Sequence, residues 1–335
     1  MTILKYESFF RAICLKRFWV LVIATFVLWF SIATPVWAQC TYSVLYTFTG
    51  ESASSQFGYS VSGAGDIDND GYTDLIVGAH FAGRAYVYSG QTRGLLYTFT
   101  GEAMGDYFGR SVSGAGDVDN DGYDDLIVGA RYNDGGGWNA GRAYLFSGQT
   151  GGLLYTFTGE AVADHFGCSV SGAGDVNIDG YHDLIVGARY NDAGGQSAGR
   201  AYVYSGQNGG LLYTFTGEAV LDVFGWSASG AGDVDGDGYA DLIVGAIGAG
   251  DGNAGRAYVY SCEPYLCGDI NDNGDVNISD AIYLVDYIFK GGNPPECPAL
   301  SYTPCADANG DGDVTIADCV YLINYLFKSG LPPIC

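Results

Sequence analysis

Four near-copies of one unit, each with room for four short strands, predict an all-β propeller of four blades; periods of 51, 58 and 58 residues separate Asp66, Asp117, Asp175 and Asp233. After Cys262 the composition changes, and two acidic loops each leading into an amphipathic stretch predict a second, small α-helical domain with paired calcium loops. The composition agrees, since 53 Gly, 27 Tyr and 17 Phe against two Met favour tight turns and short strands.

The N-terminus reads as a targeting segment. Arg11, Lys16 and Arg17 precede an apolar run over residues 18–33, followed by Pro35, with Val36 and Ala38 at the −3 and −1 positions of a signal-peptidase site. The run is short for a membrane span of ~20 residues. The expectation is a signal peptide over residues 1–38, a mature chain from Gln39 with no membrane span, and a secreted or cell-surface location. A net charge of −24 argues against nucleic acid and anionic membranes as partners. The acids recur in clusters, which points to metal.

Each repeat offers four strands. Strand A runs from Phe-Gly to Ser-Gly-Ala-Gly, strand B is Leu-Ile-Val-Gly-Ala, strand C is Ala-Tyr-Val-Tyr-Ser and strand D is Leu-Tyr-Thr-Phe-Thr. Strands C and D alternate and are rich in β-branched and aromatic residues, with a Gly-Gln-x-x-Gly turn between them. Strand B is a continuous apolar run, as a strand covered on both faces requires.

Phe57-Gly58, then Gly63-Ala64-Gly65-Asp66-x-Asp-x-Asp-Gly, then Asp74 to Ala79, repeated from Phe108, Phe166 and Phe224, resembles the FG-GAP repeat of integrin α-subunit propellers and of many secreted bacterial proteins. The resemblance covers residues 40–262. Integrin propellers have seven blades, whereas this chain has sequence for four.

The strand count says how four could close. A lone D strand (residues 42–49) comes first, then A-B-C-D three times, then A-B-C ending at Tyr260. Pairing residues 42–49 with 257–260 would complete the last blade and leave no open edge. Aligned on the repeat, Cys262 falls where Gly90, Gly148 and Gly206 stand, and Cys40 where Gln91, Gln149 and Gln207 stand. Those are neighbouring turn positions, so a Cys40–Cys262 disulfide is expected across the closure.

Calcium takes six to eight oxygens, and acids at alternate positions of a tight loop supply them. Asp66, Asp68, Asp70 and Asp74 stand at positions 1, 3, 5 and 9, with the carbonyl of Tyr72 at position 7. The later sets are Asp117, Asp119, Asp121, Tyr123 and Asp125; Asp175, Asn177, Asp179, Tyr181 and Asp183; and Asp233, Asp235, Asp237, Tyr239 and Asp241. So many carboxylates in nine residues repel one another without a cation.

The tail, residues 263–335, repeats at an offset of 38: Cys267-Gly268-Asp269 to Cys297, then Cys305-Ala306-Asp307 to Cys335, each with a helix (residues 279–290 and 317–328). It resembles a type I dockerin. The loop ligands this implies are Asp269, Asn271, Asn273, the carbonyl of Asp275, and Asp280; then Asp307, Asn309, Asp311, the carbonyl of Asp313, and Asp318. About six calcium ions are expected for the whole chain, one per loop. The resemblance implies a cohesin-like partner, although Ile278-Ser279 and Ile316-Ala317 depart from the paired Ser/Thr of many cellulosomal dockerins. Two tail disulfides are expected among Cys267, Cys297, Cys305 and Cys335. Pairing within each unit and pairing Cys267–Cys335 with Cys297–Cys305 both respect the pseudo-twofold; adjacent dockerin termini favour the second. Cys168 and Cys319 are then left as thiols.

No catalytic set is readable, and the chain reads as a non-enzyme. His80, His165 and His182 fall at different repeat positions, and the repeated Glu51, Glu102, Glu160 and Glu218 read as structural. What breaks the symmetry lies in the B–C and D–A loops, on the face opposite the calcium loops. Tyr132, Asn133, Asp134, Trp138, Tyr190, Asn191 and Asp192 are the candidates there for a glycan or protein ligand. The function expected is an extracellular calcium-binding module for binding, adhesion or scaffolding. The alternative is a component of a polysaccharide-degrading assembly, attached through the dockerin-like domain.

Overall fold

A computed structural model describes residues 43–261, 270, 276–291, 308–309 and 314–328. Two compact units divide the chain, Met1–Phe48 and Thr49–Cys335. The second holds fifteen strands, two α-helices and one short 3-10 turn (Met104–Asp106) among its described residues.

The first blade is β1 (Ser60–Gly65), β2 (Asp74–Ala79), β3 (Arg84–Tyr88) and β4 (Leu95–Thr100). The second is β5 (Ser111–Gly116), β6 (Asp125–Ala130), β7 (Arg142–Phe146) and β8 (Leu153–Thr158), and the third is β9 (Phe166–Gly174), β10 (Asp183–Ala188), β11 (Arg200–Tyr204) and β12 (Leu211–Thr216). The last has β13 (Phe224–Gly232), β14 (Asp241–Ala246) and β15 (Arg256–Tyr260). Each is an antiparallel meander in chain order, four strands in three blades and three in the last. This is the architecture of a four-blade propeller.

Of the second strands, expected to be covered on both faces, β6 and β10 are buried along their whole length and β2 at all but Leu75, whereas β14 leaves Ile243 exposed. The innermost strands pack in chain order, β1 on β5, β5 on β9 and β9 on β13. Each apolar core therefore lies between blades. Ile76, Val87 and Phe99 of the first blade meet Phe108, Val112 and Val128 of the second in one cluster. Glycine makes the close approach possible. The Gly109 amide donates to Gly129 O at 3.1 Å, and a Cβ on Gly129 would lie 2.1 Å from the carbonyl oxygen of Gly167 in the next blade.

The two end faces lack such a neighbour among the described residues. Val61 is 66% exposed, whereas its repeat equivalents Val112 and Val170 are 6% exposed. Val259 is 55% exposed, whereas Val87, Leu145 and Val203 are fully buried. Residues 43–50 form no strand, so the strand expected to complete the last blade is not seen among the described residues. Cys40 and Cys262 lie outside the described residues, as do Cys267, Cys297, Cys305 and Cys335.

In the tail, α1 (Ile278–Lys290) and α2 (Ile316–Lys328) each begin one residue before the expected start. Their apolar faces share a core of Ile270, Leu284, Ala308, Cys319 and Leu322. Asn277 caps α1 in a capping box with Asp280, and Gly291 ends it at φ 66°. Among the described residues, no helix is long and apolar enough to cross a membrane.

Candidate calcium loops and ligand face

The connection between the first and second strands of each blade is a tight acidic loop held by its own backbone. Asp66 accepts the amides of Asp70 and Gly71 at 3.0 and 2.9 Å, and Asp70 accepts that of Tyr72 at 2.9 Å. Asp117 and Asp121 repeat this with the amides of Asp121, Gly122 and Tyr123. Asp175 and Asp179 do so with Asp179, Gly180 and Tyr181. In the fourth loop Asp233 accepts Gly236 and Gly238, and Asp237 accepts Tyr239.

The ninth-position acid anchors each loop to its blade. Asp74, Asp125 and Asp183 are fully buried, and each accepts one amide from its own loop (Ile67, Val118, Val176) and one from the turn after the third strand (Gly90, Gly148, Gly206), at 2.8–3.1 Å. Asp241 accepts Val234 N at 2.6 Å, but its Oδ1 has no partner among the described residues. In the first three blades that oxygen takes the amide of Gly90, Gly148 or Gly206; their counterpart in the repeat, Cys262, lies outside the described residues.

The donor set fits a hard cation. Carboxylate oxygens of Asp66, Asp68 and Asp70 lie within 4.8 Å of one another, as do those of Asp117, Asp119 and Asp125, and of Asp233, Asp235 and Asp241. In the third loop an amide replaces one acid, and Asn177 Nδ2 bonds Asp179 Oδ2 at 3.1 Å. All donors are oxygens in a flexible loop, the coordination calcium prefers. The electrostatics agree. Burial, with neighbouring acids adding to it, raises the carboxyls of Asp68 and Asp119, and burial lifts Asp125 to about 7 and Asp183 to about 6. A cation would remove that penalty. Asp235 moves the other way, lowered chiefly by the Ser261 hydroxyl at 2.6 Å.

In the tail, Asp280 and Asp318 are fully buried. Asp280 accepts the amides of Ile270 and Asn277 at 2.9 and 2.8 Å, and Asp318 those of Asn309 and Thr315 at 3.2 and 2.8 Å. These twelfth-position acids close their loops as the ninth-position acids do in the blades. Asp269, Asn271, Asn273, Asp275, Asp307, Asp311 and Asp313 lie outside the described residues.

On the opposite face the ligand candidates separate into two groups. Asn133 and Asn191 are buried. Asn133 Nδ2 donates to Asp106 at 2.6 Å, and Asn191 Nδ2 to Asp164 at 2.8 Å, so both clamp the loop between blades to the loop inside one. Asp134 and Asp192 accept the amides of Asn139 and Ser197 at 2.7 Å, shaping their own loops. Tyr132 and Tyr190 are half-buried and Trp138 is exposed. Glu51, Glu102, Glu160 and Glu218 each meet an arginine of the third strand (Arg84, Arg142, Arg200, Arg256) at 2.7–2.9 Å. The repeated glutamates thus hold blade edges together.

The comparisons with known proteins follow the same division. The FG-GAP repeat model matches residues 57–91, 108–146, 166–204 and 224–260, and the dockerin type I domain model matches residues 267–327. The chain is built of FG-GAP repeats and a dockerin type I domain. The FG-GAP region is 36% identical to integrin alpha-5 of Xenopus laevis over 216 residues, covering 58% of this chain and 20% of that protein. It is 34% identical to integrin alpha-8 and 35% identical to integrin alpha-V, both of Gallus gallus, over 62% and 63% of this chain and 21% and 22% of those proteins. This chain therefore spans about a fifth of the length of the integrin subunits it matches.

Sequence reasoning passed over Arg110, Arg131 and Arg189, which gather with His80 and His165 on the loop face of the FG-GAP blades. The available signal was that the position after Phe-Gly changes from blade to blade, reading Tyr59, Arg110, Cys168 and Trp226. A position that varies inside otherwise faithful repeats is free of the packing rule that fixes the others.

Proposed function

We propose that this chain is an extracellular binding module, loaded with about six calcium ions, one per acidic loop, and carried into a larger assembly by its dockerin type I domain. The observation that carries the reading is the union, on one chain, of FG-GAP blades with acidic loops and a dockerin domain. The acidic loops stiffen the blades, and the opposite loop face is left to vary and take a protein or glycan. The blades are read as non-catalytic. The dockerin domain favours a polysaccharide-degrading assembly as the setting, with a cohesin as docking partner.

The same proposal includes closure of the ring. Residues 42–49 add to β15 as the fourth strand of the last blade, and a Cys40–Cys262 bond locks it. The exposed Val61 and Val259 faces support this, because each has the composition of a face that is buried in the inner blades. A bond closing a loop of that length stabilises by roughly 4–5 kcal/mol in the chain-entropy model.

Capture on an immobilised type I cohesin tests the docking half. Binding in calcium that is lost in chelator, and lost when Asp280 and Asp318 are both changed to Ala, is the expected result. No capture in calcium by a panel of cohesins would remove the assembly reading.

A further inference from the structure

The inner end of the loop face carries side chains that the repeat does not explain. The Arg110 guanidinium carbon lies 4.5 Å from the ring centre of Tyr59. Arg131 lies 4.4 Å over Tyr132 and donates to its hydroxyl at 2.9 Å. Arg189 lies 4.7 Å over Tyr190 and 4.5 Å over Trp226. His80 lies edge-on between Tyr59 and Tyr107 with ring centres at 4.4 and 5.1 Å, and His165 lies edge-on to Tyr132 and tilted against Tyr190 at 4.8 Å each. All four blades contribute to this row.

These cations have no anion among the described residues. The repeated arginines of the third strands each hold a glutamate, whereas Arg110, Arg131 and Arg189 make no ion pair among the described residues. Arg131 and Arg189 are only 7% exposed, and the Nε of each is buried without a hydrogen-bond partner. The Nδ1 atoms of His80 and His165 are in the same position. Burial, then the charges of Arg189 and Arg110, lower the pKa of Arg131. Burial and the arginines together hold both histidines down to about 4, so the imidazoles are neutral at pH 7. In a chain of net charge −24 this is a concentrated positive spot with no carboxylate among the groups acting most strongly on it.

An unpaired buried charge is costly, and cation–π contacts of about 0.5–2 kcal/mol recover only part of that cost. Such a set persists more readily when something outside the chain supplies the anion. Forked guanidinium donors match a planar carboxylate two bonds at a time. The flanking rings of Tyr59 and Trp226 are half open to solvent, flat apolar faces of the size of a pyranose.

We propose that this cluster binds the carboxylate of an acidic saccharide, a uronate, with Arg131 and Arg189 taking the carboxylate and Tyr59 and Trp226 bearing the sugar rings. The assignment rests on the reading of the chain as an extracellular binding module and names its ligand class. Open rings at both ends of the arginine row favour a sugar chain over an acidic peptide, whose side chains offer no ring faces.

Calorimetric titration of the calcium-loaded full chain with trigalacturonate, a neutral galactose trisaccharide and an acidic Asp/Glu hexapeptide decides it. Trigalacturonate should bind, and the neutral sugar should bind at least 10-fold more weakly. Arg131→Gln and Arg189→Gln should each weaken trigalacturonate by about 10- to 100-fold, the range of a charge-assisted hydrogen bond. Arg110→Gln, at a less buried position, should weaken it less. Without ligand, Arg131→Gln should melt no lower than wild type, since it removes one of three repelling charges; a structural arginine would show a clear fall. Equal binding of acid and neutral sugar overturns the proposal, as does preference for the hexapeptide or a failure of trigalacturonate to bind. In the last case cohesin capture by the same preparation would leave the wider reading standing.

Discussion

Replacing Asp125 by Ala removes the buried carboxylate that anchors the acidic loop of the second blade. Its two oxygens accept Val118 N at 2.9 Å and Gly148 N at 2.8 Å, and the side chain is fully buried. Both amides would be left unpaired inside the protein. A hydrogen bond to a charged group contributes about 1.5–3 kcal/mol, so two give about 3–6 kcal/mol. Burial holds the carboxyl up to about 7, which means that the charged form is itself costly there. The lower half of the range, about 3–4 kcal/mol, is therefore the expectation for the metal-free protein. Urea titrations in chelator, followed by tryptophan fluorescence and far-ultraviolet dichroism, measure it. If Asp125→Ala unfolds at the wild-type midpoint with an unchanged slope, the anchoring role assigned to the ninth-position acids is wrong.

Chelation should lower the melting temperature by many degrees, and elemental analysis of the untreated protein should find about six calcium ions per chain. For the metal-free protein the sign of the pH effect follows from Asp125 and Asp183, raised from 3.8 to about 7 and about 6. The folded state binds these protons more tightly, so their contribution is full below pH 3.8 and is lost as pH rises through 6–7. Metal-free thermal melts should therefore rise from pH 8 to pH 5, and a flat or falling series would contradict the burial of those acids as charged groups. Asn133→Ala should cost about 1–3 kcal/mol by leaving Asp106 without its 2.6 Å donor; hydrogen exchange confined to residues 102–107 and 131–141 would show the loosened loops. Cys40→Ser and Cys262→Ser should each destabilise a closed ring, and the double change should cost little more than either alone. Free thiols at both positions, or a dimer by light scattering, would reject closure within one chain.

Local repetition made most of the blade legible in the sequence. Leu-Ile-Val-Gly-Ala says that its strand is covered on both faces, and the acids at alternate positions mark the loops, because strand burial and loop chemistry depend on residues within one repeat. The same holds for Asp280 and Asp318, whose twelfth position in their loops defines their role before any contact is seen. Asn133 and Asn191 looked like ligand groups in the sequence, since an amide in a variable loop carries no sign of which way it turns; packing of adjacent loops turned both inward onto Asp106 and Asp164. The arginine row is the opposite case. Arg110, Arg131 and Arg189 stand 21 and 58 positions apart, each unremarkable within its own repeat. Only the stacking of one blade's inner strand on the next brings their charges together, and charge repulsion and burial are properties of that meeting, which no single repeat encodes.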